Sequence, residues 1–289
     1  MFIYKCLIFV KNIKSLKAYF PILNWISDYK SEYFKGDFFA GVTVAVLLIP
    51  QGMAYALIAG LPPVYGLYAA LAPQIVYAFL GTSRQLAVGP VAMDSLLVAA
   101  GLGAISIIET EEYIHMAILL AFLMGIIQFL LGILKMGFLV SFLSKPVISG
   151  FTSGAAIIIG ISQIKHLLGI PISQSNKIQF FAISIIQSDI PIHIPTLTIG
   201  LTSVFLLLIL KKWTPKIPSA LIVVILSTMW VYFTKQNQVG VAVVGSIPDG
   251  LPSLNLPHLE LESVKNLLPI AFTIAIVAYM EAISISKTI

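Results

Sequence analysis

Two polar side chains sit four residues apart beside a proline in the middle of an apolar run, Gln51 and Tyr55 next to Pro50. Proline removes a backbone donor and frees a carbonyl one turn back. Gln51 and Tyr55 therefore share one helix face beside a loosened ladder, where they could bind a polar solute or could satisfy that carbonyl and a neighbouring helix. Further on, Gly89-Pro90-Val91-Ala92 reads as a short extended stretch turning into a helix. Pro90 suits a first helical position, and Gly89 permits close backbone approach. A helix that starts inside a membrane leaves unpaired N–H groups and a positive end-dipole at that depth, which suits an anion. An ordinary buried re-entrant turn is the plainer alternative.

Two carboxylates fall in the same apolar surroundings. Asp94 lies in the first turns of the half-helix, where the dipole favours a carboxylate but where a fixed negative charge would repel a bound anion. Protonation, pairing and an outward orientation all remain open for it. Glu281 lies within the final apolar run; burying it ionised costs several kcal/mol unless it is paired, which makes it a candidate proton carrier. Bonding to Ser284 or Lys287 across a helical turn is the structural alternative. No HExxH, Gly-x-Ser-x-Gly or phosphate-loop pattern occurs, so an intramembrane enzyme has no nucleophile or metal site to rest on. Cys6 is the single cysteine and the four histidines stand apart near segment ends, so neither a cofactor nor a metal is expected.

The elements that must hold these residues are membrane spans. The chain is 58% hydrophobic and 10% charged, with a mean hydropathy of +0.99, against roughly 25% charged residues in soluble domains. Apolar runs fall near 38–60, 62–81, 115–134, 146–165, 195–210, 217–234 and 266–288, each near the roughly 20 residues that cross a bilayer, with a shorter run at 90–107. With a cytoplasmic N-terminus, 13 of the 17 Lys and Arg residues face inward and 4 outward, as the positive-inside rule requires. The net charge of +5 thus reflects topology, and no nucleic-acid partner is expected.

Residues 12–35 mix Lys and aromatics in a pattern suited to an interfacial element, with Trp25, Tyr29, Tyr33 and Phe34 at the headgroups. Met1–Lys11 is apolar but too short to span, and reads as an interfacial anchor. Gly150-x-x-x-Gly154 and Gly125 with Gly132 predict close helix packing. The run 239–245 predicts a short strand in an extracellular loop. The chain stops at Ile289 directly after an apolar run, so a truncated protein is expected.

Several long ordered motifs then converge. Gly36-Asp37 through Ala40-Gly41, Ile49-Pro50-Gln51-Gly52-Met53-Ala54-Tyr55-Ala56, Gly60-Leu61-Pro62-Pro63-Val64-Tyr65-Gly66-Leu67-Tyr68, Gly81-Thr82-Ser83-Arg84 and Val88-Gly89-Pro90-Val91-Ala92 together strongly resemble the sulfate permease (SulP, solute carrier family 26) family of anion transporters. The resemblance runs from about Phe20 to the end. It implies an all-α polytopic fold of two inverted seven-segment repeats, in which a core domain moves against a gate domain and a cytoplasmic STAS domain usually follows. On that reading residues 1–35 are a cytoplasmic or interfacial segment. Residues 36–250 are the first repeat, with a short strand before its half-length third helix, and 251–289 a loop and the opening helix of the second repeat.

It also implies that the anion lies between the N-termini of the third and tenth helices. Gln51, Tyr55, Gly89, Val91 and Ala92 would line it, and Glu281 would match an eighth-helix acid used for proton coupling. The implied partners are sulfate or a similar oxyanion, protons rather than sodium, the lipid bilayer, and a homodimer or second half-chain. The implied location is a bacterial inner membrane with the N-terminus cytoplasmic. Rival expectations are a bicarbonate or nucleobase permease of the same fold, and a chain that is inactive until a second polypeptide joins it.

Overall fold

The computed structural model describes residues 20–105, 110–137, 145–170, 192–213, 218–245, 247, 250–251, 257 and 259–286. The Met1–Lys11 stretch falls outside them. Apolar runs with no water to bond their backbone must bond it internally, and they do so as helices. These are α1 Ser31–Ile58, α2 Pro63–Leu80, α3 Ala92–Gly103, α4 Thr110–Ile133, α5 Lys145–Leu168, α6 Ile194–Trp213, α7 Ser219–Phe233 and α8 Leu261–Ser286. Among the described residues five of them, α1, α2, α4, α6 and α8, are long and apolar enough to cross a membrane, whereas α7, expected as a span over 217–234, has 15 residues. At 12 residues α3 is not; at 1.5 Å per residue it covers about 18 Å of the roughly 30 Å hydrocarbon core.

Helix ends follow local chemistry. Pro63 opens α2 at its first position behind an extended Pro62, where the missing N–H is no loss. Gly60 (φ +79°) ends the α1 turn in a left-handed conformation that glycine adopts freely. There its Cα faces the Tyr113 hydroxyl, which donates a 2.7 Å hydrogen bond to the Ala59 carbonyl and so ties α4 to the end of α1. The first helix starts at Ser31, upstream of its apolar run, because Glu32, Lys35 and Asp37 are exposed there. Trp25 and Tyr29 of the preceding segment and Tyr33 in the first turn of α1 are exposed and pack edge to face in sequence. The Tyr29 hydroxyl donates to Asp37 at 2.5 Å, and that bonded carboxylate holds the phenol above its ordinary range.

The core forms where α3, α4 and α8 meet. Leu102, Leu120 and Leu267 are fully buried there, with Leu119, Leu123, Ala271 and Ile274 around them. Helix α1 packs on α2 and α3, α5 on α3 and α6, and α7 on α6 and α1. The outer helices are poor in buried side chains: α6 buries none and α7 buries Val223. Large apolar side chains such as Phe39, Leu208 and Trp230 are exposed, which suits a hydrocarbon surrounding.

Three expectations are corrected. The segment before α3 is extended at Val91 (φ −127°, ψ 142°) but forms no strand, and no strand occurs among the described residues; extended backbone without a neighbouring ladder is not a strand. At 236–245 the chain makes a 3-10 turn, Gln236–Val239, closed by left-handed Lys235 and Gly240, a geometry that breaks pleating. Positions Gly125, Gly132, Gly150 and Gly154 meet nothing within 4 Å of where a Cβ would stand, whereas Gly52 and Gly66 are in backbone contact between α1 and α2. Small-residue spacing marks a face that can be approached closely; it does not supply the neighbour.

Candidate functional site

The half-helix α3 begins with Val91 as its N-cap, and its first backbone bond runs from the Ser95 N–H to the Val91 carbonyl. No side chain caps it. The N–H groups of Ala92 and Met93 therefore emerge from the helix without an intrahelical partner, carrying the positive end of the dipole. Val91 is exposed and Ala92 half-buried, so this end is reachable.

Helix α1 runs past the same point. A Cβ on Gly52 would lie 3.0 Å from the Gly66 carbonyl oxygen and 3.7 Å from Pro90 Cγ, so the stretch of α1 after Pro50 is held close to the turn that precedes α3. Gln51 is exposed, and its Nε2 donates a 2.8 Å hydrogen bond to the Tyr55 hydroxyl. That bond confirms the shared face and orients the pair: the carboxamide oxygen and the phenolic hydrogen stay available for a further partner. Of the residues singled out in the sequence, Gln51, Gly89, Val91 and Ala92 come from two elements that meet here, with Tyr55 one turn along α1.

Sequence reasoning missed Gln74. Its Nε2 lies 3.4 Å from where a Cβ on Gly89 would stand, so a side chain from α2 braces the turn into α3. A polar residue directly after Pro73 within an apolar run was the available signal. It also left the neighbours of Asp94 unresolved. Asp94 is the third residue of α3, where an acid would commonly fold back to the N-cap N–H; instead its Oδ1 is buried with no hydrogen-bond partner.

Glu281 stands about twenty residues into α8, as Gln51 stands about twenty residues into α1. Helix α8 packs against α3, with Ile270 filling the space a Cβ on Gly101 would need. The histidines play another part. The Nε2–H of His193 donates to the Val239 carbonyl at 2.9 Å and its Nδ1 meets the Thr196 hydroxyl at 2.7 Å, joining the ends of α6 and α7. No group of three or more His, Cys, Asp or Glu side chains among the described residues could hold a metal ion.

Together these features define a polytopic helical membrane protein of the inverted-repeat transporter type, with an uncapped half-helix beside a proline-containing first helix. The chain belongs to the sulfate permease family, whose model matches residues 34–289. It is 42% identical over 281 residues to sulfate transporter 4.1, chloroplastic, of Arabidopsis thaliana, covering 93% of this chain and 40% of that protein. It is 37% identical over 259 residues to a probable sulfate transporter of Mycobacterium tuberculosis, covering 89% of this chain and 46% of that one. In structure it is similar to the murine Slc26a9 anion transporter in its inward-facing state, with a TM-score of 0.85, 29% identity, and coverage of 93% of this chain and 48% of that one. The fold is thus the SLC26 inverted-repeat fold. The chain spans under half the length of each of these three proteins.

Proposed function

We propose that this chain supplies the first-repeat half of an anion site in a secondary transporter for sulfate or a similar small oxyanion, driven by protons through Glu281. The observation that carries the reading is the uncapped N-terminus of α3, preceded by Pro90 beside Gly52 of α1, on the helix whose Gln51 and Tyr55 are hydrogen bonded to each other. In this reading the free N–H groups near Val91 and Ala92 bind anion oxygens, Gln51 and Tyr55 add side-chain bonds, and Gly89 keeps the approach open. A proton on Glu281 removes a negative charge from the site while the anion crosses. The surplus of inward Lys and Arg orients the N-terminus to the cytoplasm, and the Mycobacterium relative supports a bacterial plasma membrane.

Uptake of radiolabelled sulfate into proteoliposomes under an imposed pH gradient tests this, using the 289-residue chain alone and with an added second-repeat polypeptide, with bicarbonate as competitor. The expected result is gradient-driven sulfate uptake that loses its pH dependence in Glu281→Gln. Unchanged pH dependence in that variant removes Glu281 from the coupling. Uptake of bicarbonate in preference to sulfate overturns the substrate assignment, and activity that needs the second polypeptide assigns transport to two repeats acting together.

A further inference from the structure

Residues 81–90 run from the end of α2 at Leu80 to the Val91 N-cap of α3 and form no helix or strand. Irregular backbone within a membrane protein must find partners outside itself. The hydrogen bonds described for this segment lie near its two ends. At the first, the Ser83 N–H donates to the Tyr77 hydroxyl oxygen at 3.3 Å, and that hydroxyl donates to the Ser83 carbonyl at 3.2 Å. One side chain of α2 thus serves both backbone groups of one residue. At the second, the Val91 carbonyl accepts from the Ser95 N–H as α3 begins.

Glycine makes room for that first clip. A Cβ on Gly81 would stand 2.5 Å from both the Tyr77 carbonyl oxygen and its ring Cε1, closer than such atoms approach. Gly81 is in ordinary extended backbone (φ −70°, ψ 140°), so space rather than conformational freedom calls for glycine there. Three residues before Tyr77, and so on the same face of α2, Gln74 places its Nε2 3.4 Å from where a Cβ on Gly89 would stand. Tyr77 and Gln74 are about 4.5 Å apart along the helix axis, whereas chain extended from Ser83 to Gly89 could reach about 20 Å. The segment therefore carries slack. Contact with the two side chains sets how far back along α2 it runs before Pro90 meets Gly52 of α1.

We propose that Tyr77 and Gln74 are positioning residues for the anion site, and that α2 is the template on which the segment entering α3 is laid. What they serve rests on the anion-site reading above; the placement of the segment does not. Both act through the backbone: Tyr77 by bonding Ser83, Gln74 by occupying the space that Gly89 leaves open. With either removed, residues 81–91 take up several arrangements, and only one of them sets the free N–H groups of α3 beside α1. A site formed for only a fraction of the time binds with its affinity reduced by that fraction. Tyr113 supplies the comparison, because its hydroxyl also bonds a backbone carbonyl, that of Ala59, but at the α1–α2 turn.

The test is solid-state NMR of the full chain in lipid bilayers, reading the amide signals of Gly89, Val91 and Ala92 while sulfate is titrated. The proteins are wild type, Tyr77→Phe, Gln74→Ala, Gln74→Met and Tyr113→Phe, with the signals of Leu120 and Leu267 checking that each is folded. Tyr77→Phe and Gln74→Ala are expected to split or broaden the three signals and to weaken sulfate binding about tenfold, as a site formed a tenth of the time would. Gln74→Met, of similar length and unbranched, restores both readouts, and Tyr113→Phe changes neither. A merely structural role lowers stability without moving the sulfate midpoint. Signals that ignore Tyr77→Phe and Gln74→Ala overturn the proposal, as does a sulfate midpoint equal to that of a sulfate-binding wild type. A wild type indifferent to sulfate, with signals that respond to the substitutions, sinks the anion-site reading and leaves the placement of the segment.

Discussion

The α3–α4–α8 unit and the α6–α7 layer have nearly the same kind of sequence and quite different packing. Both are built from apolar helices, yet the first buries a continuous cluster around Leu102, Leu120 and Leu267, while α6 buries no side chain. Hydrocarbon is as apolar as leucine, so apolarity alone does not drive helices together in a membrane; shape, small residues and a few hydrogen bonds do. The tightly packed unit includes α3, whose start with α1 forms the candidate site, and α8, which carries Glu281. The loosely packed layer is linked at its ends by His193, and its α6 side chains are half-buried or exposed. Positioning chemistry demands tightly packed neighbours, which the first region has in greater number.

The largest effect that would sharpen this contrast is a cavity in the packed unit. Leu120→Ala is expected to destabilise the chain by about 2–4 kcal/mol in detergent unfolding, since most of the loss is packing rather than transfer. Leu208→Ala, at a residue 65% exposed on α6, is expected to change stability by under about 0.5 kcal/mol. Equal losses at the two positions would break the comparison.

Next in size is the α1–α2 contact. A Cβ at Gly66 would run into the Gly52 carbonyl, whereas Gly132 faces open space. Gly66→Ala is therefore expected to cost about 1–3 kcal/mol by forcing two backbones apart. Gly132→Ala should leave stability unchanged or raise it by about 0.5–1 kcal/mol through helix propensity. Thermal unfolding of the two variants side by side decides between close packing here and a generic glycine effect. The smallest change is Tyr113→Phe, which removes the hydroxyl bonded to the Ala59 carbonyl. It should cost about 0.5–1.5 kcal/mol, and hydrogen exchange should quicken at the α1–α2 turn while the amides of α6 keep their rates.

Much of the site was legible because its determinants are local. Gly89-Pro90 announces a nearby helix start, although the helix begins at Ala92 with Pro90 ahead of its Val91 N-cap and not at the first helical position; four-residue spacing puts Gln51 and Tyr55 on one face, and they are hydrogen bonded. The misreadings have the opposite character. The run 239–245 looked like a strand because its side chains favour extended backbone, but left-handed Lys235 and Gly240 turn the chain and leave it no partner. Gly125, Gly132, Gly150 and Gly154 carried the spacing of a packing face, while the contact was made by Gly52 and Gly66, which lie on different helices and have no common spacing to read.

The sequence by itself determined the membrane spans, the short third helix and the polar groups placed at its start, because hydropathy, proline and glycine act within a few residues of backbone. Only the tertiary structure decided which helices form the packed core and that Gln74 braces Gly89. Those pairings arise from how rigid helices fit against each other, and shape complementarity between surfaces far apart in the chain leaves no periodic trace in either one.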